Sequence, residues 1–328
     1  MAGENQVKQE NKSPRKHKVL FAFIVLVLVL GLSFFTIFKT KKDSEIILKV
    51  VNEKIDNTSP RTDSYFKNAD PIVYQLARKI EKKEPITLDD VKALPEGTLN
   101  ARYDNDITLL FSALTARNLQ AIDVLLAAGA DPYMIDRPSQ GSARDFTYYT
   151  ATVTMVKPDY SFDPEATAKF RYDLTKIYLN NGGKADHVIP AKNPVSLLFM
   201  HALKRNDDVI IMLIDHGADP LWINDAGATA IFALTSRYDE SSRKILRYII
   251  CKGFYINAND EQIDDIIRWL QPSGPKNNER EFAYRNLAML ILKERPEFKD
   301  NRYTQEIFGG PIPWQEIRDM KISEVCYD

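Results

Sequence analysis

Two stretches of this chain repeat one pattern at one spacing. The first begins at Thr108, continues through leucine-rich segments and closes with Gly129-Ala-Asp-Pro. The second begins at Ser196 and closes with Gly217-Ala-Asp-Pro, so 21 positions separate the hydroxyl residue from the glycine in both stretches. A recurring unit of this kind predicts helix pairs that stack on one another, because no unit buries its apolar face alone.

A third copy of the pattern begins at Thr229, 33 residues after Ser196, and closes at Gly253. Threonine or serine at the start predicts a cap on the first helix, since its side chain accepts a backbone N–H bond. Glycine at the end supplies the left-handed backbone angle that closes a second helix. The leucines in between recur at helical spacing. The fold class predicted from the repeat is therefore all-α.

The pattern resembles the ankyrin repeat, a unit of about 33 residues with a threonine-led first helix, a second helix ending in Leu-Leu, and Gly-Ala-Asp before a hairpin. Residues 217–229 (GADPLWINDAGAT) match that hairpin frame without a gap. The departures lie in the usual Thr-Pro-Leu-His start, where the proline is Leu109, Leu197 and Ala230 and the histidine is Phe111, Phe199 and Phe232. The resemblance implies an ankyrin-type solenoid of about five repeats plus a C-terminal helical cap.

The repeats are predicted to occupy residues 71–260. A helix pair over 71–83 and 88–94 makes a good first unit. Farther along, 67 positions separate Gly129 from Ser196, about one repeat plus some 20 extra. We expect the surplus to form an insertion at about 137–163, either a recognition loop or a strand pair or extended helix that covers the stack.

The repeat pattern is less regular after the insertion and towards the end of the chain. A second helix is predicted over 164–181, closing at Gly182-Gly183. Residues 261–295 contain one more helix pair and are assigned as the cap. Residues 296–328 show too little periodicity to place, and they are treated as a C-terminal tail.

Residues 19–38 (VLFAFIVLVLVLGLSFFTIF) contain no charged side chain. At ~1.5 Å per residue a helix of this length spans about 30 Å, the hydrocarbon thickness of a bilayer. A cleaved signal peptide fits less well, because the apolar run is long and no small-residue cleavage site follows it. The sequence predicts an uncleaved transmembrane helix, with a basic tail at 1–18 and a juxtamembrane helix or spacer at 39–70.

The charges on the two sides of this segment give only a slight positive-inside bias. Long domains are translocated largely regardless of charge, so the short basic tail is expected to stay in the cytoplasm. The predicted location is a bacterial inner membrane, crossed once, with the repeat domain in the periplasm.

Composition narrows the class of protein further. A net charge of −1 gives no basic field for nucleic acid, so no nucleic-acid partner is expected. Cys251 and Cys326 are the two cysteines of the chain. Two cysteines are too few for a disulfide-dense scaffold or a cysteine zinc cluster. Whether these two pair in an oxidising compartment stays open.

The sequence contains no arrangement of residues that supports catalysis. His17, His187, His201 and His216 have neither metal-ligand spacing nor a nucleophile motif beside them. No phosphate-binding loop or dinucleotide fingerprint occurs, and adjacent pairs such as Asp207-Asp208 usually cap helices or face water. We therefore expect no enzyme, no cofactor and no metal site.

In ankyrin-like stacks, partner proteins bind the concave face formed by first helices and hairpin tips. Carried onto this chain, the resemblance implies partner-binding positions on one tip, on the first helices and on a second tip, namely Tyr103, Asp104 and Asn105; Ser112, Thr115, Met200 and Lys204; and Trp222 and Asp225. Trp222 is either an aromatic anchor for a partner or a packing residue of its hairpin. Tyr148 and Tyr149 are assigned to the insertion as further contacts.

An N-terminal anchor, an ankyrin-like ectodomain and the lack of a catalytic set resemble the immunity proteins that protect bacteria from type VI secretion phospholipase effectors. This analogy rests on architecture, since a fold hosts many functions. It implies a toxin as the protein partner, held by the concave face and the insertion. The alternative is a membrane-tethered scaffold or adaptor for an envelope protein complex.

Overall fold

The computed structural model describes residues 61–157, 159–190, 193–237, 239–270 and 278–326. The predicted cytoplasmic tail, the transmembrane segment at 19–38 and most of the spacer lie outside the described residues. Of the helices in the described part, none combines the length and the apolar character needed to cross a bilayer.

The described part begins with a short helix, α1 (Arg61–Phe66), and continues as five successive helix pairs. The pairs are α2 (Pro71–Glu81) with α3 (Leu88–Lys92), α4 (Leu109–Thr115) with α5 (Leu119–Ala127), α6 (Phe146–Thr152) with α7 (Pro164–Asn180), α8 (Leu197–Leu203) with α9 (Asp207–Asp215), and α10 (Ala230–Thr235) with α11 (Glu240–Cys251). We call these pairs units one to five, and we call the first helix of each pair the inner helix and the second the outer helix.

The units stack because inner helices pack on inner helices and outer helices pack on outer helices. Leu109, Leu125, Leu197 and Leu213 are all fully buried at these interfaces. Each such side chain contributes about 1.5–3 kcal/mol when it leaves water. The continuous apolar core therefore runs from unit to unit, as the repeat predicts.

Glycine ends the outer helices where the sequence places it. Gly129 has φ +94° and Gly217 has φ +92°. An L side chain is disfavoured at these angles, and the backbone N–H of each glycine donates to a carbonyl in the last turn of its helix. The capping prediction is thus confirmed at both positions.

The hairpins between units are mostly irregular loops. In the described ranges, paired strands join units three and four, where β1 (Val188–Ile189) runs antiparallel to β2 (Val195–Ser196), and one isolated bridge joins Val156 to Phe162. Other connections contain single 3-10 turns, at Asp104–Asp106, Pro138–Gln140 and Phe254–Ile256.

The expectation of an insertion at 137–163 is wrong in its central part, because this stretch contains the inner helix of unit three. Asp145 caps α6, and Phe146, Thr147, Thr150 and Ala151 form its buried face. The sequence FTYYTAT does not predict this helix, because it lacks leucine and is rich in residues of modest helix propensity. The surplus residues lie in the longer loops before and after α6.

A sixth helix pair, α12 (Asp260–Trp269) and α13 (Asn278–Glu294), follows unit five and packs on it. The tail beyond it is also structured, with a 3-10 turn at Pro296–Asp300 and three short helices, α14 (Arg302–Phe308), α15 (Trp314–Asp319) and α16 (Ile322–Cys326).

The last helix is fastened to the outer helix of unit five. Cys326 in α16 is disulfide-bonded to Cys251 at the end of α11, with the two Cα atoms 5.5 Å apart. Arg247 Nη2 donates a 2.7 Å hydrogen bond to the carbonyl of Val325. The question that the sequence left open is therefore answered in favour of a cross-link.

Candidate protein-binding surface

One capping bond recurs at the start of five successive first helices, from unit two to the sixth pair. In each helix, a side-chain oxygen accepts the backbone N–H of the residue three positions later. The capping residues are Thr108, Asp145, Ser196, Thr229 and Asn259. Because the helices start alike and stack alike, side chains at equal distance from the cap occupy equivalent positions. We number these positions from the cap, so that the donor residue is +3.

Position +3 carries aromatic side chains in units two to five, namely Phe111, Tyr148, Phe199 and Phe232. Their surroundings differ sharply. Phe111 is 3% exposed and Phe199 is 8% exposed, whereas Phe232 is 51% exposed. The same residue type at the same position is thus part of the core in two units and open to solvent in the last.

Position +7 lies on the same helix face as +3, because residues four apart on a helix are neighbours. It carries Thr115, Thr152 and Ser236 in units two, three and five, but Leu203 in unit four. Leu203 is 52% exposed. Since α8 packs directly against α10, Leu203 and Phe232 lie on the same side of two neighbouring inner helices.

The predicted inner-helix contacts are only partly accessible. Thr115 and Lys204 are exposed and Ser112 is half-buried. Met200 is 8% exposed and packs in the core, so it has little surface to offer a partner. The frame explains the difference, because Met200 stands at +4 and therefore points more towards the neighbouring helices than +3 or +7 does.

On the first tip, Tyr103 serves the packing of the loop. Its ring lies 4.9 Å from the ring of Phe66, and its hydroxyl donates a 2.7 Å hydrogen bond to the carbonyl of Thr98. Asp104 accepts a 2.9 Å hydrogen bond from Asn68. Asn105 is exposed in a left-handed conformation, with φ +62°. Asn105 is thus the most accessible of the three predicted residues.

The second tip is more open. Trp222 is half-buried and Asp225 is exposed, and Ile223 between them is 44% exposed. Nothing in these contacts assigns Trp222 to a partner or to packing alone, and its role stays a prediction.

Tyr148 and Tyr149, which the sequence analysis assigns to the insertion, lie on the inner helix α6 of unit three. The Tyr149 hydroxyl donates a 2.7 Å hydrogen bond to Asp136, and burial, together with this bond, raises the pKa of Tyr149 to about 12. Tyr148 stands at +3. The central carbon of the Arg144 guanidinium lies over the Tyr148 ring, 4.7 Å from the ring centroid. Tyr149 therefore stabilises the loop before α6 through its bond to Asp136, and Tyr148 belongs to the inner-helix face.

The connection between α6 and α7 is a small hairpin beside the neighbouring turns. Tyr160 and Phe162 are exposed on it. Arg117 Nη2 donates to the carbonyl of Thr154, and Arg171 Nε donates to the carbonyl of Val153. These bonds fix the hairpin to units two and three.

Two histidines have structural roles. His201 is fully buried between Thr150 and Asn206. His187 Nε2 lies 2.7 Å from Oδ2 of the buried Asp145, so it joins the β1 loop to the cap of α6. Across the ranges that the structure describes, no cluster of three or more histidine, cysteine, aspartate or glutamate side chains has a geometry fit to hold a metal ion.

The repeated caps, paired helices and closing glycines make the described part a stack of helix pairs, the architecture that the ankyrin-like pattern in the sequence predicts. No family model matches the chain, and no curated protein matches it. Among solved structures, the chain is similar to an ankyrin repeat domain from Acinetobacter baumannii AYE, at 18% sequence identity and a TM-score of 0.43, over 68% of this chain and 98% of that one.

Leu203 and Phe232 are the surface residues that sequence analysis missed. A signal for both was present. Leu203 is an apolar residue at a position where neighbouring units carry threonine or serine, and Phe232 replaces the usual histidine in the last full unit. The degree of exposure, however, depends on packing between units, which the pattern does not contain.

Proposed function

We propose that this chain is a membrane-anchored immunity protein, which binds a secreted antibacterial toxin in the periplasm and neutralises it. The proposed toxin class is a phospholipase-like effector of type VI secretion. The repeat domain serves as the protein-binding module, and the segment at 19–38 serves as the anchor.

The observation that carries the binding role is the half-exposed Leu203 and Phe232 on a rigid inner-helix face. Exposed apolar and aromatic side chains on a preorganised surface are typical anchors of protein interfaces, since they bury area at little entropic cost. The exposed second tip, with Ile223 and Asp225, extends the surface available to a partner.

The disulfide supports the periplasmic location. Cys251 and Cys326 are 75 residues apart in sequence, and both take part in the one cross-link of the described residues. Structural disulfides persist in oxidising compartments such as the periplasm and are rare in the reducing cytosol. Together with the apolar run at 19–38, the cross-link favours an anchored domain on the outer side of an inner membrane.

The test is a survival assay. A strain that lacks this gene, but is otherwise identical, is grown in contact with a sister strain that delivers a phospholipase-like effector by type VI secretion. We expect the deletion strain to die and the full chain, supplied from a plasmid, to restore growth. A chain in which the segment at 19–38 is replaced by a cleavable signal peptide separates the contribution of the anchor from that of binding.

Healthy growth of the deletion strain during toxin delivery would refute the immunity function. Stable co-purification of the chain with a resident envelope complex would then favour the adaptor role.

A further inference from the structure

The inner helices of units two to five carry no exposed acidic or basic side chain. Their sequences are LLFSALT, FTYYTAT, LLFMHAL and AIFALT. None of them contains an aspartate, a glutamate, a lysine or an arginine, and the one histidine, His201, is fully buried. A carboxylate of a partner that lay along these helices would therefore meet no repelling charge from them.

Exposed apolar area on this surface is concentrated at one place. Leu203 and Phe232 are each about half exposed, while the equivalent phenylalanines in units two and four are covered. The neighbours of Leu203 at position +7 are threonine and serine. On the inner helices of units two to five, the exposed large apolar side chains are therefore those of Leu203 and Phe232.

A cation borders the apolar pair. Lys204 follows Leu203 directly and is exposed, and it makes no ion pair with any residue in the described ranges. The nearby guanidinium groups differ, because Arg205 pairs with Asp239 at 3.1 Å and Arg237 pairs with Asp207 at 2.7 Å. Lys204 thus has no carboxylate partner among the described residues and lies next to Leu203 at the edge of the apolar surface.

We infer that Leu203, Phe232 and Lys204 form one subsite, which takes a segment of the partner protein that carries an apolar side chain next to an aspartate or glutamate. The apolar side chain covers Leu203 and Phe232, and the carboxylate pairs with Lys204. This inference rests on the proposed function in that it assigns the partner's chemistry at the same surface.

The chain itself supplies conservative variants for a test. F232Q introduces the residue that stands at +3 in α12, and L203T introduces the residue that stands at +7 in α4. K204E reverses the charge. Leu88 on the outer helix α3 is 42% exposed, so L88T is a matched loss of exposed apolar surface away from the subsite.

The probe is a random 16-residue peptide library displayed on phage, selected on the full chain in detergent micelles. Peptides that bind are sequenced and measured individually against each variant. Circular dichroism and thermal melting show which variants keep the fold, and L203T tests the same subsite should F232Q fail to fold.

We expect selected peptides to share an aromatic or aliphatic residue within a few positions of an acidic one. F232Q and L203T should each weaken binding about tenfold, as the loss of a buried apolar contact predicts. K204E should weaken it about threefold at low salt and less at high salt. L88T should leave binding unchanged.

Peptides without an acidic residue, peptides that bind L203T and F232Q as tightly as the unaltered chain, or the absence of any selected peptide would overturn the subsite. These results are distinct from those of the survival assay. A chain that protects cells but selects no such peptide keeps its immunity function and loses this subsite. A chain that selects them but does not protect keeps the subsite and loses the immunity function.

Discussion

The buried imidazole of His201 is expected to make the stability of the stack depend on pH. Its Nδ1 lies 3.0 Å from the side-chain nitrogen Nδ2 of Asn206, and its Nε2 lies 3.1 Å from the hydroxyl oxygen of Thr150. This arrangement suits a neutral ring that accepts at Nδ1 and donates from Nε2. Burial, with a smaller contribution from the Arg171 guanidinium, lowers the pKa of His201 from 6.5 to about 3.

The sign of the effect follows from the two pKa values. Since the pKa of His201 is lower in the folded state, the unfolded chain binds more protons between about pH 3 and 6.5, and stability falls as the pH decreases through this window. Between about pH 7.5 and about pH 5 the expected loss is about 2 kcal/mol, at about 1.36 kcal/mol per pKa unit. This figure hardly changes for any folded pKa below about 4, because the unfolded state then does nearly all the titrating.

The assay is urea unfolding of the full chain at both pH values, compared with H201L. Leucine is a suitable replacement because Leu234 occupies the equivalent position in unit five and is fully buried. The unaltered chain should lose about 2 kcal/mol more of its free energy of unfolding than H201L does over this pH interval. Equal losses in the two chains would refute the reasoning, since the remaining titrating groups are common to both.

Three further predictions concern the cross-link, an ion pair between units and a strained turn. The disulfide Cys251–Cys326 closes a loop of 75 residues, so its reduction should lower the free energy of unfolding by about 4–5 kcal/mol. Denaturant unfolding with and without reductant measures this loss, and C251S/C326S is the control that should not respond to reductant. A loss below about 1 kcal/mol would contradict the prediction. R237M should lower the free energy of unfolding by about 2 kcal/mol, because it leaves the Asp207 carboxylate without its bidentate partner. The double variant R237M/D207N should recover part of this loss. An unchanged melting temperature in R237M would count against a stabilising role of the ion pair. Lys83 has φ +57°, so K83G should stabilise the chain by about 0.5–1 kcal/mol, measured as a rise in melting temperature, and a fall would show that the turn is not strained.

Much of the fold could be predicted because the repeat signal is local. Thr108, Ser196 and Thr229 cap helices through their own side chains, and Gly129 and Gly217 close helices through their own backbone freedom. Such features depend on a few adjacent residues, so a single sequence is enough to recognise them.

The inner helix of unit three cannot be predicted from such local features. Its cap is Asp145 rather than threonine, its inner helix lacks leucine, and its loops are longer than those of the other units. The segment FTYYTAT is helical because Phe146 and Ala151 pack against neighbouring units, where both are fully buried. Tertiary packing outweighs weak helix propensity here, which a pattern search over one unit does not detect.

The amino-acid sequence by itself determined the all-α class, the period, the caps of units two, four and five, and the position of an apolar run long enough for a membrane, because each depends on neighbouring residues or on composition. Only the tertiary structure decided which of three equivalent phenylalanines is exposed, that Leu203 shares its surface, and that Cys326 meets Cys251. These outcomes depend on distances between residues far apart in the chain, and such distances are set by how the units pack.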